Sequence, residues 1–226
     1  MIQALITCRE VSRTYGSGER SVVAVHDVTC TVTERSRVAL TGPSGSGKTT
    51  LLQLMGGLDT PTTGSIAWPG LGGAPHDDQS RVGIVFQGES LVPALTALEN
   101  VALPLVLRGV RHGDALARAR VAMQRLGLES FADQLPDELS GGQAQRTSVA
   151  RVLTMRPRLI LADEPTGQLD QLAGAQVVDV LLTVADELGS GVVVTTHDPH
   201  VAGRLQEEWR MRDGALSVAE LTGGIR

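Results

Sequence analysis

Residues Gly42-Pro43-Ser44-Gly45-Ser46-Gly47-Lys48-Thr49 fit the pattern G-x-x-x-x-G-K-[ST]. Each residue type in it has a chemical task. Glycines let backbone N–H groups turn inward and cradle phosphate oxygens. A helix starting at the end of the loop adds the positive end of its dipole, roughly half a charge. Lys48 is placed to reach β- and γ-phosphates, and the Thr49 hydroxyl to hold Mg²⁺. Lys48 is also the chain's single lysine, beside nineteen arginines. That bias keeps a compact ammonium where a planar guanidinium would not fit.

Other chemically suggestive residues stand at the ends of apolar runs. Asp163 and Glu164 close the run Leu159 to Ala162. Two adjacent carboxylates are costly unless a cation or proton shares their site. Asp163 is positioned for a Mg²⁺ shell, and Glu164 to polarise an attacking water. Gln87 follows Arg81 to Phe86, as a strand-end cap or a functional group. His197 follows Gly191 to Thr196. Ser140-Gly141-Gly142-Gln143 opens a helix-prone stretch, 144 to 155, either as an ordinary N-cap or as a second anion site. Tyr15, the single tyrosine, precedes the turn Gly16-Ser17-Gly18; it is either a filler or a flat platform for a purine ring.

Local patterning supplies the elements that must hold these groups. Ile2 to Val11, Val22 to Val32 and Ser65 to Trp68 have strand composition. Arg37 to Thr41, Arg81 to Phe86, Arg158 to Asp163 and Gly191 to Thr196 read as buried strands. A helix starts after the glycine loop, at Thr50 to Met55. Between about 98 and 139 helix formers dominate, with Ala115, Leu116, Ala119, Met123 and Leu126 at helical spacing, which predicts an inserted helical subdomain. Arg118, Arg120 and Arg125 read as its solvated face. Arg204 to Leu216 reads as an edge hairpin turning at Arg212-Asp213-Gly214. Apolar strands alternating with helices predict an α/β fold: a mainly parallel, doubly wound sheet with the polar candidates at the carboxyl ends of its strands.

Composition sets the bounds. With 226 residues, 42% of them hydrophobic, the chain is globular and fits one domain with a subdomain. A net charge of −5 argues against a nucleic-acid partner. The stretch Leu91 to Leu107 is broken by Pro93, Glu99, Asn100 and Pro104, so no membrane span is expected. No basic segment followed by an apolar core marks a signal peptide. Cys8 and Cys30 fall in strands and are expected as two reduced thiols.

Taken together, from about residue 2 to 217, these motifs resemble the nucleotide-binding subunits of ABC transporters. GPSGSGKT is the P-loop, LSGGQ at 139 to 143 the family signature, and LILADE at 159 to 164 Walker B with its glutamate. Gln87 corresponds to the Q-loop, Gly167-Gln168-Leu169-Asp170 to the D-loop, His197 to the switch histidine, and Tyr15 to the aromatic that stacks on adenine. The resemblance implies a P-loop NTPase core of RecA-like type (1 to 87 and 156 to 226) with an N-terminal antiparallel β subdomain. A helical subdomain (88 to 155) would carry the signature. It implies ATP held by Gly42, Pro43, Ser44, Gly45, Ser46, Gly47, Lys48, Thr49 and Thr50, with Tyr15, Gln87 and Asp163. Ser140, Gly141, Gly142, Gln143 and Asp170 would complete the site of a second subunit. Mg²⁺ would be held through Thr49, Gln87 and Asp163, and Glu164, His197, Lys48 and Gln87 would serve catalysis.

The segments GLDTPTTG, LVPALTALENVALPL and EPTGQLD are similar to the branch serving lipoprotein release, macrolide or peptide efflux and the cell-division permease. Gln168 stands where that branch usually has Asn, Arg35-Ser36 replaces a common Gly-Glu pair, and the segment from Trp68 to Arg81 is short. The implied partners are a membrane permease and a second nucleotide-binding subunit, identical or not, at the cytoplasmic face of the membrane. Two other readings exist: a soluble ABC ATPase of repair or translation type, and a regulatory module that does not hydrolyse. The first usually carries a coiled coil or second cassette, absent here; Glu164 and His197 argue against the second.

Overall fold

The computed structural model describes residues 2–75, 78, 80–86, 90–167 and 169–220. Two sheets organise the chain. The smaller has the order β2-β1-β4, formed by β1 (Ala4–Tyr15), β2 (Val22–Thr33) and β4 (Thr63–Ala67), all antiparallel. The larger has six strands in the order β5-β6-β7-β3-β8-β9. They are β3 (Arg37–Thr41), β5 (Val82–Val85), β6 (Leu159–Asp163), β7 (Gly191–Thr195), β8 (Glu207–Arg212) and β9 (Ala215–Glu220). All neighbours in it are parallel except β8 and β9.

The central strands carry apolar runs, at 38–40, 159–162 and 192–194, because both faces of the sheet are covered. Successive side chains alternate between faces. Leu159, Leu161, Val193, Val38 and Leu40 enter one core, with α1 (Lys48–Met55) and the antiparallel sheet. Ile160, Ala162, Val192, Val194 and Ala39 enter the other, under α2 (Ala97–Leu107), α3 (His112–Arg125), α4 (Gly141–Leu153) and α5 (Gln171–Leu188). The short α6 (Pro199–Ala202) adds Val201 and Ala202 to that second core.

The expected elements form, with two differences of extent. β1 continues past Val11 to Tyr15, through register irregularities after Cys8 and a positive φ at Glu10, so its polar second half pairs with β2 despite its composition. The hairpin at 204 to 216 also forms, but its first strand is not an edge. β8 pairs in parallel with β3, and only β9 is the edge. Its charged sequence hid this, since only Trp209 and Met211 are buried on it.

Cys8 and Cys30 face each other across β1 and β2 as buried free thiols. Hydrogen bonding to Cys8, and then burial, push the Cys30 thiol far above its usual range. Asn100, fully buried in α2, joins the preceding loop to the helix. Its amide donates to Val92 O, Leu95 O and Thr96 O, and its carbonyl accepts from Val92 N–H at 2.7 Å. No described helix is long and apolar enough to cross a membrane.

Candidate functional site

The glycine loop leaves the end of β3 and runs directly into α1, which begins at Lys48. Gly42, Gly45 and Gly47 have φ of +145°, +76° and +100°, which favour glycine. Two of them are also sites of close approach. A Cβ on Gly42 would lie 2.2 Å from Met211 O, and one on Gly47 2.0 Å from Ala24 O. The loop is thus pressed between β8 and the start of β2. The hairpin turn braces it: Gly214 N–H donates to Ser46 O, and His26 N–H donates to Gly214 O.

Gly47 caps α1 without a side chain, whereas α4 and α5 are capped by Ser140 and Asp170. The N-terminal N–H groups of α1 therefore point at the loop interior with no side-chain acceptor from the cap, as an anion site requires. Lys48 is buried, and its Nζ donates to Gly42 O at 2.9 Å and Pro43 O at 3.0 Å.

Opposite the loop stand groups from β6 and β7. Asp163, the last residue of β6, is buried and accepts from Thr195 Oγ1 at 2.5 Å. Glu164 follows with φ +44°, a left-handed conformation rare in non-glycine residues. Its N–H donates to Thr195 O and to Thr195 Oγ1. Its Oε2 lies 3.3 Å from Nδ1 of His197, a largely exposed side chain. Ser44, Gly45, Gly47, Lys48, Thr49, Thr50, Glu164, His197 and Ala24 wall a cavity of about 440 Å³.

This donor set fits a magnesium triphosphate. One buried ammonium, hydroxyls and a helix N-terminus suit the anion, and the carboxylate and threonine oxygens are the hard ligands Mg²⁺ takes. Ser46 Oγ is buried with no hydrogen-bond partner among the described residues.

The other sequence candidates lie around this cavity or apart from it. Tyr15 ends β1 opposite Val22, two residues before Ala24, which lines the cavity; Tyr15 itself does not line it. Its hydroxyl donates to Asp59 Oδ2 at 2.7 Å. Arg13 lies over the ring, 4.7 Å from its centre, and pairs with Asp59. Burial alone would raise the Asp59 pKa, but the Tyr15 hydroxyl, Thr60 N–H and Arg13 together hold it below the usual range. Ser140 and Gln143 form a reciprocal capping box at the start of α4, so the N-cap reading of LSGGQ holds locally. Gly142 sits against Leu169 of the D-loop; a Cβ there would lie 2.9 Å from Leu169 Cδ2. Asp170 caps α5 by accepting from Ala173 N–H. Gln87 and Gln168 lie outside the described residues. Ala24 and Thr195 also belong to this region, with no signal in the sequence to mark them. Ala24 carries no chemical signal, and Thr195 reads as one more strand residue.

The profile of the ABC transporter family matches residues 25–167. The chain belongs to the ABC transporter family and is one of its ATPases. The lipoprotein-releasing system ATP-binding protein LolD of Shewanella denitrificans is 38% identical over 223 residues, 96% of each chain. LolD of Geobacter metallireducens is 40% identical over 222 residues, 95% of this chain and 99% of that one. Among solved structures, the dimeric post-hydrolysis state of the ATP-binding cassette MJ0796, bound to ADP and Pi, superposes with a TM-score of 0.88 at 35% identity. It covers 96% of this chain and 99% of that one. CbiO1 of Clostridium perfringens, part of the ABC transporter complex cbiONQ, gives 0.81 at 25% identity, over 95% and 87%. This ABC ATPase thus shares its fold with cassettes that align with it over nearly its whole length.

Proposed function

We propose that this ABC ATPase is the energy-supplying subunit of a LolD-like transporter and works as a two-fold dimer beneath a membrane permease. The observation that carries the reading is the 440 Å³ cavity, where one wall is the phosphate loop and the other the acid and histidine of strand ends. Lys48, Ser44, Gly45, Gly47 and Thr50 bind the phosphate chain, and Thr49 with Asp163 would hold Mg²⁺. A Mg²⁺ ion held there would supply neutralisation of phosphate charge. Glu164 orients and deprotonates the attacking water, and His197 holds the γ-phosphate. Gln87 relays its presence to the helical subdomain. Tyr15 supports the adenine, and the base is its outer neighbour.

A single nucleotide needs one phosphate cradle, yet the chain has a second glycine-bearing helix start, at α4, whose capping box closes on itself within one chain. We infer that Ser140, Gly141, Gly142 and Gln143, with Asp170 nearby, close the site of a second subunit, so that the γ-phosphate joins two chains head to tail. Two structures of the cassette MJ0796, to which this chain is similar, are dimeric, which supports the reading. Hydrolysis then removes the joining group and the dimer opens.

Support for a permease comes from an apolar cleft of about 560 Å³, lined by Leu58, Phe86, Leu103, Leu107, Val152 and Met155 among others. Leu58, Phe86 and Leu107 are exposed on it, and exposed apolar patches mark interaction sites. The segment Leu91 to Val101 leads into its α2 wall, and the residue after Phe86 is Gln87. A short amphipathic helix of a permease is the occupant that fits an ATP-binding subunit of a release system.

The decisive experiment uses Glu164→Gln. Sedimentation in MgATP should show a stable dimer, turnover should fall by about 10² to 10⁴, and EDTA should return monomers. Hydrolysis at the parent rate would remove Glu164 as the base; a variant that stays monomeric in MgATP would remove the two-chain site.

A further inference from the structure

Thr195 is a polar residue in a place where apolar ones would serve. It follows Val192, Val193 and Val194 on β7 and is, like them, fully buried. A hydroxyl at such a position is costly unless it is hydrogen-bonded. Both of its bonds go to the hydrolytic site. Oγ1 donates to Asp163 Oδ1 at 2.5 Å and accepts the Glu164 N–H at 2.8 Å. The directions are fixed by the partners, since a carboxylate only accepts and an N–H only donates. The β-branched side chain is stiff at χ1, so the oxygen has little freedom to wander. The same N–H lies 3.2 Å from Thr195 O, and the peptide so held is the one with the left-handed φ.

We propose that Thr195 is a positioning residue for ATP hydrolysis, its hydroxyl joining the metal-side carboxylate of Asp163 to the backbone from which Glu164 projects. One Asp163 oxygen is occupied by this bond, which restricts rotation of the carboxylate and leaves the other oxygen for the metal. The Glu164 peptide is held in its strained turn by the same atom, so the two acids keep one mutual angle. The proposal rests on the assignment of Asp163 to Mg²⁺ and of Glu164 to water.

The test compares Thr195→Val, which keeps the shape and loses the hydroxyl, with Thr195→Ser, which keeps the hydroxyl. Equilibrium binding of ATP is titrated with Mg²⁺, and turnover is measured at saturating MgATP. The valine variant should bind metal-free ATP as the parent does, which shows an intact phosphate loop. It should need about tenfold more Mg²⁺ to tighten binding and turn over about tenfold more slowly, the usual scale for losing a partner of a metal ligand. Serine should restore both to within about twofold of the parent. A parental Mg²⁺ titration and rate in Thr195→Val would overturn the proposal. So would a serine variant no better than valine, which would reduce Thr195 to packing. Asp163→Asn and Glu164→Gln run alongside. If these two impair Mg²⁺ dependence and turnover while Thr195→Val does not, only the positioning role fails. If they too behave as the parent, the assignment of the acids fails with it.

Discussion

Tyr15 shows how much of a residue's function is set by what touches it. Its ring has Arg13 on one face and its hydroxyl is tied to Asp59, so it is held as a fixed plate at the end of β1. A plate held this way would stack a base, the role proposed for it, at little entropic cost. Tyr15→Ala should raise the ATP concentration for half-maximal turnover about tenfold, with turnover at saturation little changed, because base–aromatic stacking is worth about 1–3 kcal/mol. Tyr15→Phe keeps the ring, loses the Asp59 bond, and should stay within about threefold of the parent. Steady-state ATP titrations distinguish the two, and an unchanged alanine variant would remove Tyr15 from the binding site.

Helix starts differ according to what they serve. α1 begins on a bare glycine and faces the phosphate cavity, whereas α2 begins on a closed capping box. There Glu99 N–H donates to Thr96 Oγ1, and Thr96 N–H donates to Glu99 Oε2 at 2.8 Å. The Thr96 N–H first, and then its hydroxyl, hold the Glu99 carboxyl below the usual glutamate range. Thr96→Ala should cost about 1 kcal/mol of stability in denaturant titrations. The pH dependence has a definite sign. The Glu99 contribution is fully present above the ordinary glutamate pKa and is lost as pH falls through the lowered folded value. Glu99→Gln keeps an acceptor without a titrating group, so its stability should fall less than the parent's over that acid window. Equal acid slopes in urea titrations would show that the box carries no such linkage.

At the scale of the whole molecule, two surfaces matter: the nucleotide face, where the strand ends meet, and the cleft between α2, α4 and β5. Leu107 is 78% exposed at the cleft mouth, so a charge there should disturb docking and not folding. Leu107→Glu is expected to retain the ATPase rate of the isolated chain and to lose co-purification with the proposed permease from detergent extracts. Undiminished recovery of the complex would show that the cleft is not the docking site.

Much of this was legible in the chain itself. Gly42 to Thr49, LSGGQ and LILADE specify a local backbone and local chemistry, because a phosphate cradle or a helix cap needs only neighbouring residues. The buried strands were readable for the same reason: with both sheet faces covered, Leu159 to Ala162 and Val192 to Val194 must be apolar throughout. The tertiary structure alone decided the pairing of partners. Nothing in EEWRMR announces that β8 lies parallel to β3, since one face of that strand stays polar. Nor does Ala24 announce that its carbonyl presses on Gly47, or Thr195 that its hydroxyl meets Asp163 thirty-two positions away. Those contacts depend on which strands become neighbours, and strand order is set by how two cores fill on opposite faces, a property of the whole chain that no local stretch encodes.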